Sequence, residues 1–444
     1  MARVMSTQSP DSSPSSYFNR LFSLEKHEYV ALAWSFVYFF CILSSYYMLR
    51  PVRETMAVES GVQNVPWLFA TTFVVMLIAA PVFGWVSSRF PRKQFLPWVY
   101  LFFVVNILLF WGGFSYAINN ELNFVWLGRA FFVWISVFNL FVVSVFWSFM
   151  ADVYTQDQGR RLFGIISAGG SVGALVGPFA TKFLVVPIGF QNLLPISAAL
   201  LLFGVFCITR LRAWVVTEHP EDTATSAASD HPLGGSALGG IRQLLASKYL
   251  LSMAVISVIA SLMGTALYMF MTDLVGTAFS TPDERTEVFG LLDGATNVLS
   301  LVGQLFLVNR SVRWIGVGKT LAIMPIVSLI GFMVLAINPV FLVVAVLQAL
   351  RRGVGFGFAK PTHVMLYSVV TPKEKYKAKN FIDTVVYRGG DVIGTLTVKF
   401  MWAIGISGIA IVMLPFAVIW VVIALWLGRD YARRDKLGIG AEQV

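Results

Sequence analysis

Long apolar segments alternate with short polar loops along the chain, and this pattern predicts helices that cross a membrane. A membrane-spanning helix needs about 20 predominantly apolar residues. Twelve segments meet that requirement, at approximately residues 29–50, 66–88, 95–117, 124–150, 162–186, 191–209, 249–272, 286–308, 317–337, 339–370, 381–403 and 408–428. The expected fold is therefore an all-α membrane protein with 12 transmembrane helices.

A polar stretch in the middle of the chain divides these helices into two sets of six. Residues 218–240 are rich in Ser, Ala, Gly and Pro and show no apolar periodicity, which is typical of a linker. The predicted organisation is a disordered cytoplasmic N-terminal tail at 1–28, a six-helix bundle at 29–209, a cytoplasmic linker at 210–248, a second six-helix bundle at 249–428 and a cytoplasmic C-terminal tail at 429–444.

The two halves share sequence features at corresponding places. Gly169 and Gly170 in the fifth span correspond to Gly389 and Gly390 in the eleventh. Small residues on one helix face allow two backbones to approach closely. Two related halves around a site near the membrane midplane are the plan of a transporter that moves one half against the other.

Composition supports the membrane assignment and gives an orientation. Charged residues make up 13% of the chain, whereas a soluble domain carries roughly a quarter. About 23 of the 33 Lys and Arg residues fall in the loops on the side of both termini, which predicts that both termini are cytoplasmic. The net charge of +10 is thus explained by the loops, and we expect no nucleic-acid partner. The two Cys and four His show no metal-ligand spacing, so no metal or other cofactor is expected.

Several charged side chains fall inside or next to the apolar spans, where a charge is costly unless it faces a bundle interior or water. Guanidinium groups bind phosphate and carboxylate bidentately. We therefore expect an anionic substrate to be bound by some of the cationic residues Arg50, Arg53, Arg129, Arg351, Arg352, Lys360, Lys379 and Arg388. Snorkelling of Arg50 to the outer rim is the structural alternative.

The acidic and amide side chains in the spans are candidates for charge pairing or for coupling. They are Glu54, Asp293, Asn297, Asp383 and Asp391. Asp293 and Asn297 begin a polar stripe that continues through Ser300 and Gln304 at helical spacing, so this face should lie against a cavity or another helix. The carboxylates could either neutralise the arginines or carry protons as the coupling ion.

The loop after the second span reads GWVSSRFPRK, from Gly84 to Lys93. It resembles the G-x-x-x-D-R-x-G-R-K loop of the major facilitator superfamily, with Gly84, Arg89, Arg92 and Lys93 fitting and Ser88 in place of the Asp. The resemblance implies the major facilitator fold, with two six-helix halves. It also implies that the four fitting residues form a gating loop whose basic side chains hold neighbouring helix ends in one state of the cycle.

The segment KEKYKAKNFIDTVVYRGGD resembles the eleventh-helix region of the ATP/ADP translocase family of nucleotide transporters, whose pattern is K-x-K-A-K-x-x-I-D-V-V. Lys375, Lys377, Lys379 and Asp383 are among the residues that fit. The first-helix segment LRPVRETM is similar to the L-R-D-x-K-D of that family, although Pro51 replaces its first Asp. The resemblance implies an antiporter for a phosphorylated solute such as a nucleotide, and the Pro51 difference leaves the substrate open.

The sequence therefore predicts a transporter that works by alternating access on an anionic phosphorylated solute such as ATP or ADP. The alternative is a proton-coupled permease or exporter for another small solute, such as a sugar phosphate, an organic anion or a drug. A membrane-embedded enzyme is not expected, because the chain lacks His motifs of metalloenzymes and a phosphate-binding P-loop. The expected location is the bacterial inner membrane, with the lipid bilayer as surroundings and a monomeric state.

Overall fold

In the computed structural model of the chain, the described residues are 27–89, 92–218, 247–370, 378–379 and 381–437. Within these ranges the side chains of residues 80, 83–89, 92–95, 216–218, 383 and 384 are not described. The N-terminal tail as far as residue 26, most of the predicted linker, Lys375, Lys377 and the last seven residues therefore lie outside the description. The side chains of Asp383 and of the predicted gating loop also lie outside the description.

The described residues form twelve long helices, six on each side of the predicted linker. The first six are α1 (Glu28–Glu59), α2 (Val65–Arg89), α3 (Arg92–Asn119), α4 (Val125–Val153), α5 (Gln156–Ile188) and α6 (Leu193–Glu218). The second six are α7 (Lys248–Ala278), α8 (Pro282–Val302), α9 (Val308–Ile337), α10 (Phe341–Val354), α11 (Tyr387–Phe400) and α12 (Gly405–Lys436).

Ten stretches of the described chain are long and apolar enough to cross a membrane. One of them, Pro282–Ile337, contains both α8 and α9, with a break in helical geometry at Gly316, where φ is 81°. The 14-residue α11 is the one helix of the twelve that these stretches leave out. A twelve-helix arrangement is consistent with this assignment.

Three π-helical segments interrupt or begin helices of the second half. Gly303–Leu307 follows α8, Gly355–Ala359 follows α10, and Ile382–Val386 precedes α11. The first two segments touch at their glycines, because a Cβ atom on Gly303 would lie 3.0 Å from Cα of Gly357. Such π segments widen a helix by one residue and often occur at functional sites.

Each half has its own hydrophobic core. The first-half core includes the buried rings of Tyr38 and Phe138, and the second-half core includes Met263 and Phe332. Because apolar side chains offer no advantage over lipid, close packing between helices holds such a bundle together.

Glycines allow α5 to pack directly on α1. A Cβ atom on Gly173 would lie 3.0 Å from the backbone nitrogen of Ser44, and a Cβ atom on Gly177 would lie 2.8 Å from the Ser44 carbonyl oxygen. In the second half α11 packs on α7 in the same way, since a Cβ atom on Gly390 would lie 3.1 Å from Cβ of Ser261. Of the glycine pairs noted in the sequence, Gly169 and Gly170 both face α1, whereas in the second pair Gly390 faces α7 and Gly389 has open space around it.

The two halves are joined at one end of the bundle. We call the end where α1 begins and α12 ends the terminal end, and the opposite end the far end. At the far end Arg285 of α8 contacts Glu59 of α1 at 2.5 Å, and the backbone N–H of Phe190 donates to the carboxylate of Asp283 at 2.7 Å. Within the described part of the chain, the polar contacts between the halves run from this end to mid-depth.

The first helix differs from its predicted extent. The sequence predicts a first span that ends near Arg50, where Pro51 lacks an N–H donor and so kinks or ends a helix, but α1 continues to Glu59 with Pro51 inside it. Contacts with α4, α7 and α8 beyond the proline support the helix, as neighbouring helices do in membranes. The expectation that Arg50 and Arg53 lie at or just beyond the end of the first span is therefore wrong. Other helices are also longer than predicted, and among them α6 extends to Glu218 and α12 to Lys436.

Candidate functional site

The charged residues of the spans meet near the middle of the bundle. Counting 1.5 Å per residue from the far end of each helix, Arg50, Asp293, Arg352 and Asp391 lie about 14–17 Å deep. This is close to half the thickness of a hydrocarbon core of roughly 30 Å. Four different helices (α1, α8, α10 and α11) therefore present charges at one level.

Asp293 joins the two halves through two arginines. Its side chain is only 2% exposed, and its Oδ1 accepts from Nη1 of Arg352 at 2.7 Å. Its Oδ2 lies 3.6 Å from Nε of Arg50, which belongs to the first half. The polar face predicted for the eighth span thus supplies a carboxylate shared by α1 and α10.

Glu54 forms a second contact between the halves, one turn along α1. Arg53 donates to its Oε1 at 3.0 Å, Arg50 lies 3.9 Å from the same oxygen, and the Tyr268 hydroxyl of α7 donates to its Oε2 at 2.6 Å. The guanidinium of Arg53 also stacks over the ring of Phe132, 4.0 Å from its centroid. These contacts fix Arg53 and Glu54 between α1, α4 and α7.

A third group of polar contacts lies wholly within the second half. Asp391 accepts a short hydrogen bond from the hydroxyl of Ser261 and lies 3.8 Å from Nη1 of Arg388. Arg351 donates to the carbonyl oxygen of Ala260 on α7. The Arg388 side chain is 42% exposed, so it is the most accessible of these arginines whose exposure is known.

Positive charge exceeds negative charge at this level. The five arginines described above lie with only three carboxylates, those of Glu54, Asp293 and Asp391. Among the described residues, three buried guanidinium nitrogens at this level have no hydrogen-bond partner: Nε of Arg53, Nε of Arg351 and Nη2 of Arg352. Because a buried donor without a partner costs free energy, this arrangement favours an added anion with several acceptor oxygens.

Four predicted site residues lie away from this cluster. Arg129 lines a groove between α2, α3 and α4, and Lys360 is exposed with its Nζ 5.9 Å from the centroid of the Phe356 ring. Lys379 precedes α11 at the terminal end. Asn297 donates to the carbonyl oxygen of Ala174 at 2.6 Å and so ties α8 to α5.

For the remaining predicted residues only the backbone position is known. Asp383 lies in the π segment Ile382–Val386. Gly84 and Arg89 lie in the last turns of α2, and Arg92 and Lys93 begin α3. Their roles stay predictions.

The sequence analysis missed Tyr268 and Ser261, which bind the two carboxylates from α7. A signal was present, because Ser261, Thr265, Tyr268 and Thr272 recur at i, i+4, i+7 and i+11 and so share one helix face. Because these positions carry no charged residue, the sequence pattern predicted only an apolar span there. It also missed the Glu59–Arg285 pair, because the predicted eighth span begins at residue 286, whereas Arg285 lies in the first turn of α8.

Comparison with known proteins agrees with this architecture. The family model described as Major Facilitator Superfamily matches residues 34–395. Among solved structures, a bacterial homologue of the iron transporter ferroportin in an inward-facing state has a TM-score of 0.64 at 10% identity, covering 94% of this chain and 100% of the other. The nucleoside transporter NupG has a TM-score of 0.59 at 13% identity, covering 91% and 99%.

Sequence relatives confirm the resemblance stated for the eleventh helix. ADP,ATP carrier protein 2 of Chlamydia pneumoniae is 21% identical over 500 residues, covering 94% of this chain and 91% of the relative. ADP,ATP carrier protein 1 of Chlamydia muridarum is 22% identical over 486 residues, covering 95% and 91%. With the family model spanning most of the chain and transporter structures matching its fold, this protein belongs to the major facilitator superfamily and is a membrane transporter, not an enzyme.

Proposed function

We propose that the protein exchanges or imports an anionic phosphorylated solute, such as the nucleotides ATP and ADP, by alternating access. The observation that carries this proposal is the excess of buried guanidinium groups at mid-depth between the two halves. Five arginines lie with three carboxylates there, and among the described residues three buried guanidinium nitrogens lack hydrogen-bond partners. Phosphate oxygens are the acceptors that such forks bind most specifically.

The site also has the connectivity that alternating access requires. Asp293 holds an arginine from each half, so an anion that competes for these arginines changes the contact between the halves. A ligand shifts a conformational equilibrium only by its differential affinity for the two states. Competition between substrate and Asp293 would provide that difference.

The orientation is part of the proposal. The distribution of Lys and Arg supports cytoplasmic termini, which would make the far end periplasmic in a bacterial inner membrane. The Glu59–Arg285 pair would then close the periplasmic side. We expect the protein to act as a monomer with both halves in one chain.

Exchange in proteoliposomes tests the function. Vesicles containing the purified protein and loaded with ADP should take up labelled ATP, and Arg352→Gln should lower uptake by roughly 10- to 100-fold, because it removes charge-assisted hydrogen bonds to the substrate. Arg160→Gln is the matched control, since Arg160 is 79% exposed and 4.0 Å from Asp157. If the vesicles take up another phosphorylated solute but no nucleotide of a panel, the nucleotide is rejected as substrate, and the proposal of an anionic phosphorylated substrate stands.

A second candidate is a proton-coupled carrier of another small solute, such as a sugar phosphate, an organic anion or a drug. The observation in its favour is that Asp391 and Glu54 each accept a hydrogen bond from a hydroxyl group of α7. A carboxyl in such a position can gain and lose a proton while keeping a partner. Uptake that rises with an imposed pH gradient and falls in Asp391→Asn would favour this candidate, and uptake that ignores the gradient would exclude it.

A further inference from the structure

A groove on the outer surface of the first half is not accounted for by transport through the centre. It has a volume of about 820 Å³ and lies between α2, α3 and α4. Aromatic and aliphatic side chains form most of its walls, including Trp67, Phe102 and Trp126, which are 62%, 60% and 77% exposed. Exposed apolar side chains on membrane-spanning helices face lipid, so the groove opens sideways into the bilayer.

Two polar groups in the groove have no hydrogen-bond partner. Nε of Arg129 and Nε1 of Trp134 are both buried and unsatisfied. The guanidinium of Arg129 lies over the ring of Trp126 at 4.4 Å, and within the described part of the chain no carboxylate is within ion-pair distance of it. Arginine stays charged in proteins, and both groups can only donate. The groove therefore presents a positive charge and two donors with nothing to accept from them.

The groove is separated from the central arginines by an apolar wall. Ala57, Leu68 and Phe132 pack together as a small buried cluster between the two. Arg53 stacks on the inner side of Phe132, whereas Leu68 lines the groove on the outer side. A substrate bound by Arg53 would thus not reach Arg129, and the groove needs a different occupant.

We propose that the groove binds one phospholipid with an anionic headgroup. Arg129 lies about 6 Å from the far end of α4, near the depth where lipid phosphates and the interfacial Trp side chains of membrane proteins are found. Lys399 of the second half lies 5.9 Å from the ring of Trp67 at the rim and adds a second positive charge. The phosphate accepts from Arg129, and the acyl chains lie along the apolar walls of the groove.

The length of the groove fits a lipid better than a free anion. Its lining on α4 runs from Trp126 to Val137, a distance of about 16 Å along the helix. One leaflet of a hydrocarbon core of roughly 30 Å is about 15 Å thick. An acyl chain lying against Phe102 and Val137 would therefore remain in contact with the groove over the whole depth of its leaflet.

Native mass spectrometry of the purified protein with phosphatidylglycerol or phosphatidylcholine of the same acyl chains tests the proposal. The wild type should retain phosphatidylglycerol and only little phosphatidylcholine. Arg129→Gln should lower phosphatidylglycerol retention roughly tenfold, because a charge-assisted hydrogen bond to the phosphate is lost. Ala130→Phe, which fills the groove without changing its charge, should lower retention of the same lipid.

Lys182→Gln is the control, because Lys182 is another far-end cation, 4.8 Å from the ring of Phe183, that does not line the groove. The Lys182→Gln variant should retain as much phosphatidylglycerol as the wild type. Thermal unfolding in detergent provides the second measurement, with phosphatidylglycerol raising the midpoint of the wild type and not that of Arg129→Gln. Equal retention of phosphatidylglycerol in Arg129→Gln and wild type, or a midpoint shift with inorganic phosphate alone that is lost in Arg129→Gln, would overturn the proposal.

Discussion

Asp293→Asn removes the carboxylate that Arg50 and Arg352 share, and we expect it to destabilise the protein strongly. Both arginine side chains are less than a fifth exposed, at 17% and 18%, and Asp293 itself is 2% exposed. Removing one partner of a buried ion pair costs about 3–5 kcal/mol, because the remaining charge is left without compensation. Because Asn keeps the shape of the side chain, the loss of stability measures the contribution of the negative charge.

Equilibrium unfolding of the purified protein in mixed SDS micelles measures this change in the free energy of unfolding. The matched control is Asp157→Asn, because Asp157 lies 4.0 Å from Arg160 and both side chains are exposed, at 92% and 79%. Water screens such a pair, and its removal should cost about 1 kcal/mol or less.

A double-mutant cycle with Arg352→Gln separates the ion pair from general damage to the bundle. Contacting residues of this kind show coupling of about 0.5–3 kcal/mol, so the double variant should lose less stability than the two single variants together. A phosphorylated anion should also stabilise Asp293→Asn more than the wild type, because two guanidinium groups are freed for it. Additive single effects, or a loss below about 1 kcal/mol for Asp293→Asn, would refute the assignment of Asp293 as the shared carboxylate.

Two further predictions concern the packing and closure of the bundle. Gly173→Ala should destabilise the protein by about 1–3 kcal/mol because its Cβ would press on the backbone of α1, whereas Gly164→Ala, with open space around it in the same helix, should be neutral or slightly stabilising in thermal unfolding. Arg285→Gln should weaken closure of the far end by removing the contact with Glu59. A cysteine placed at Thr55, which is 0% exposed in the closed arrangement, should then react faster with a membrane-impermeant thiol reagent, and an unchanged labelling rate would show that this ion pair does not hold the end closed.

The helix pattern and the excess of cations could be predicted from the sequence because both depend on local composition. A run of about 20 apolar residues must form its backbone hydrogen bonds internally in lipid, and a helix does so. The glycines of α5 and α11 were identified for the same reason, since a small helix face in a membrane indicates a close helix neighbour. The stripe that begins at Asp293 also indicated a face turned away from lipid.

The partners of the charged residues were decided by the tertiary structure alone. Arg351 and Arg352 are adjacent in sequence, yet Arg351 donates to the backbone of α7 and Arg352 to Asp293, because successive residues point about 100° apart on a helix. Periodicity defines a face of one helix but not the neighbour towards which that face is rotated. Arg129 shows the same limit, since its charge made it a candidate for the substrate site, and only the rotation of α4 decides that it lines a groove between α2, α3 and α4.

The depth of Arg50 depended on tertiary packing for a different reason. Pro51 removes one backbone donor, and from the sequence alone that loss predicts a kink or a helix end. In the folded chain α4, α7 and α8 contact α1 beyond the proline, and the helix continues to Glu59. The sequence by itself therefore determined which residues are charged and which segments are helical, and only the packing of the helices decided that Arg50 meets Asp293 at mid-depth.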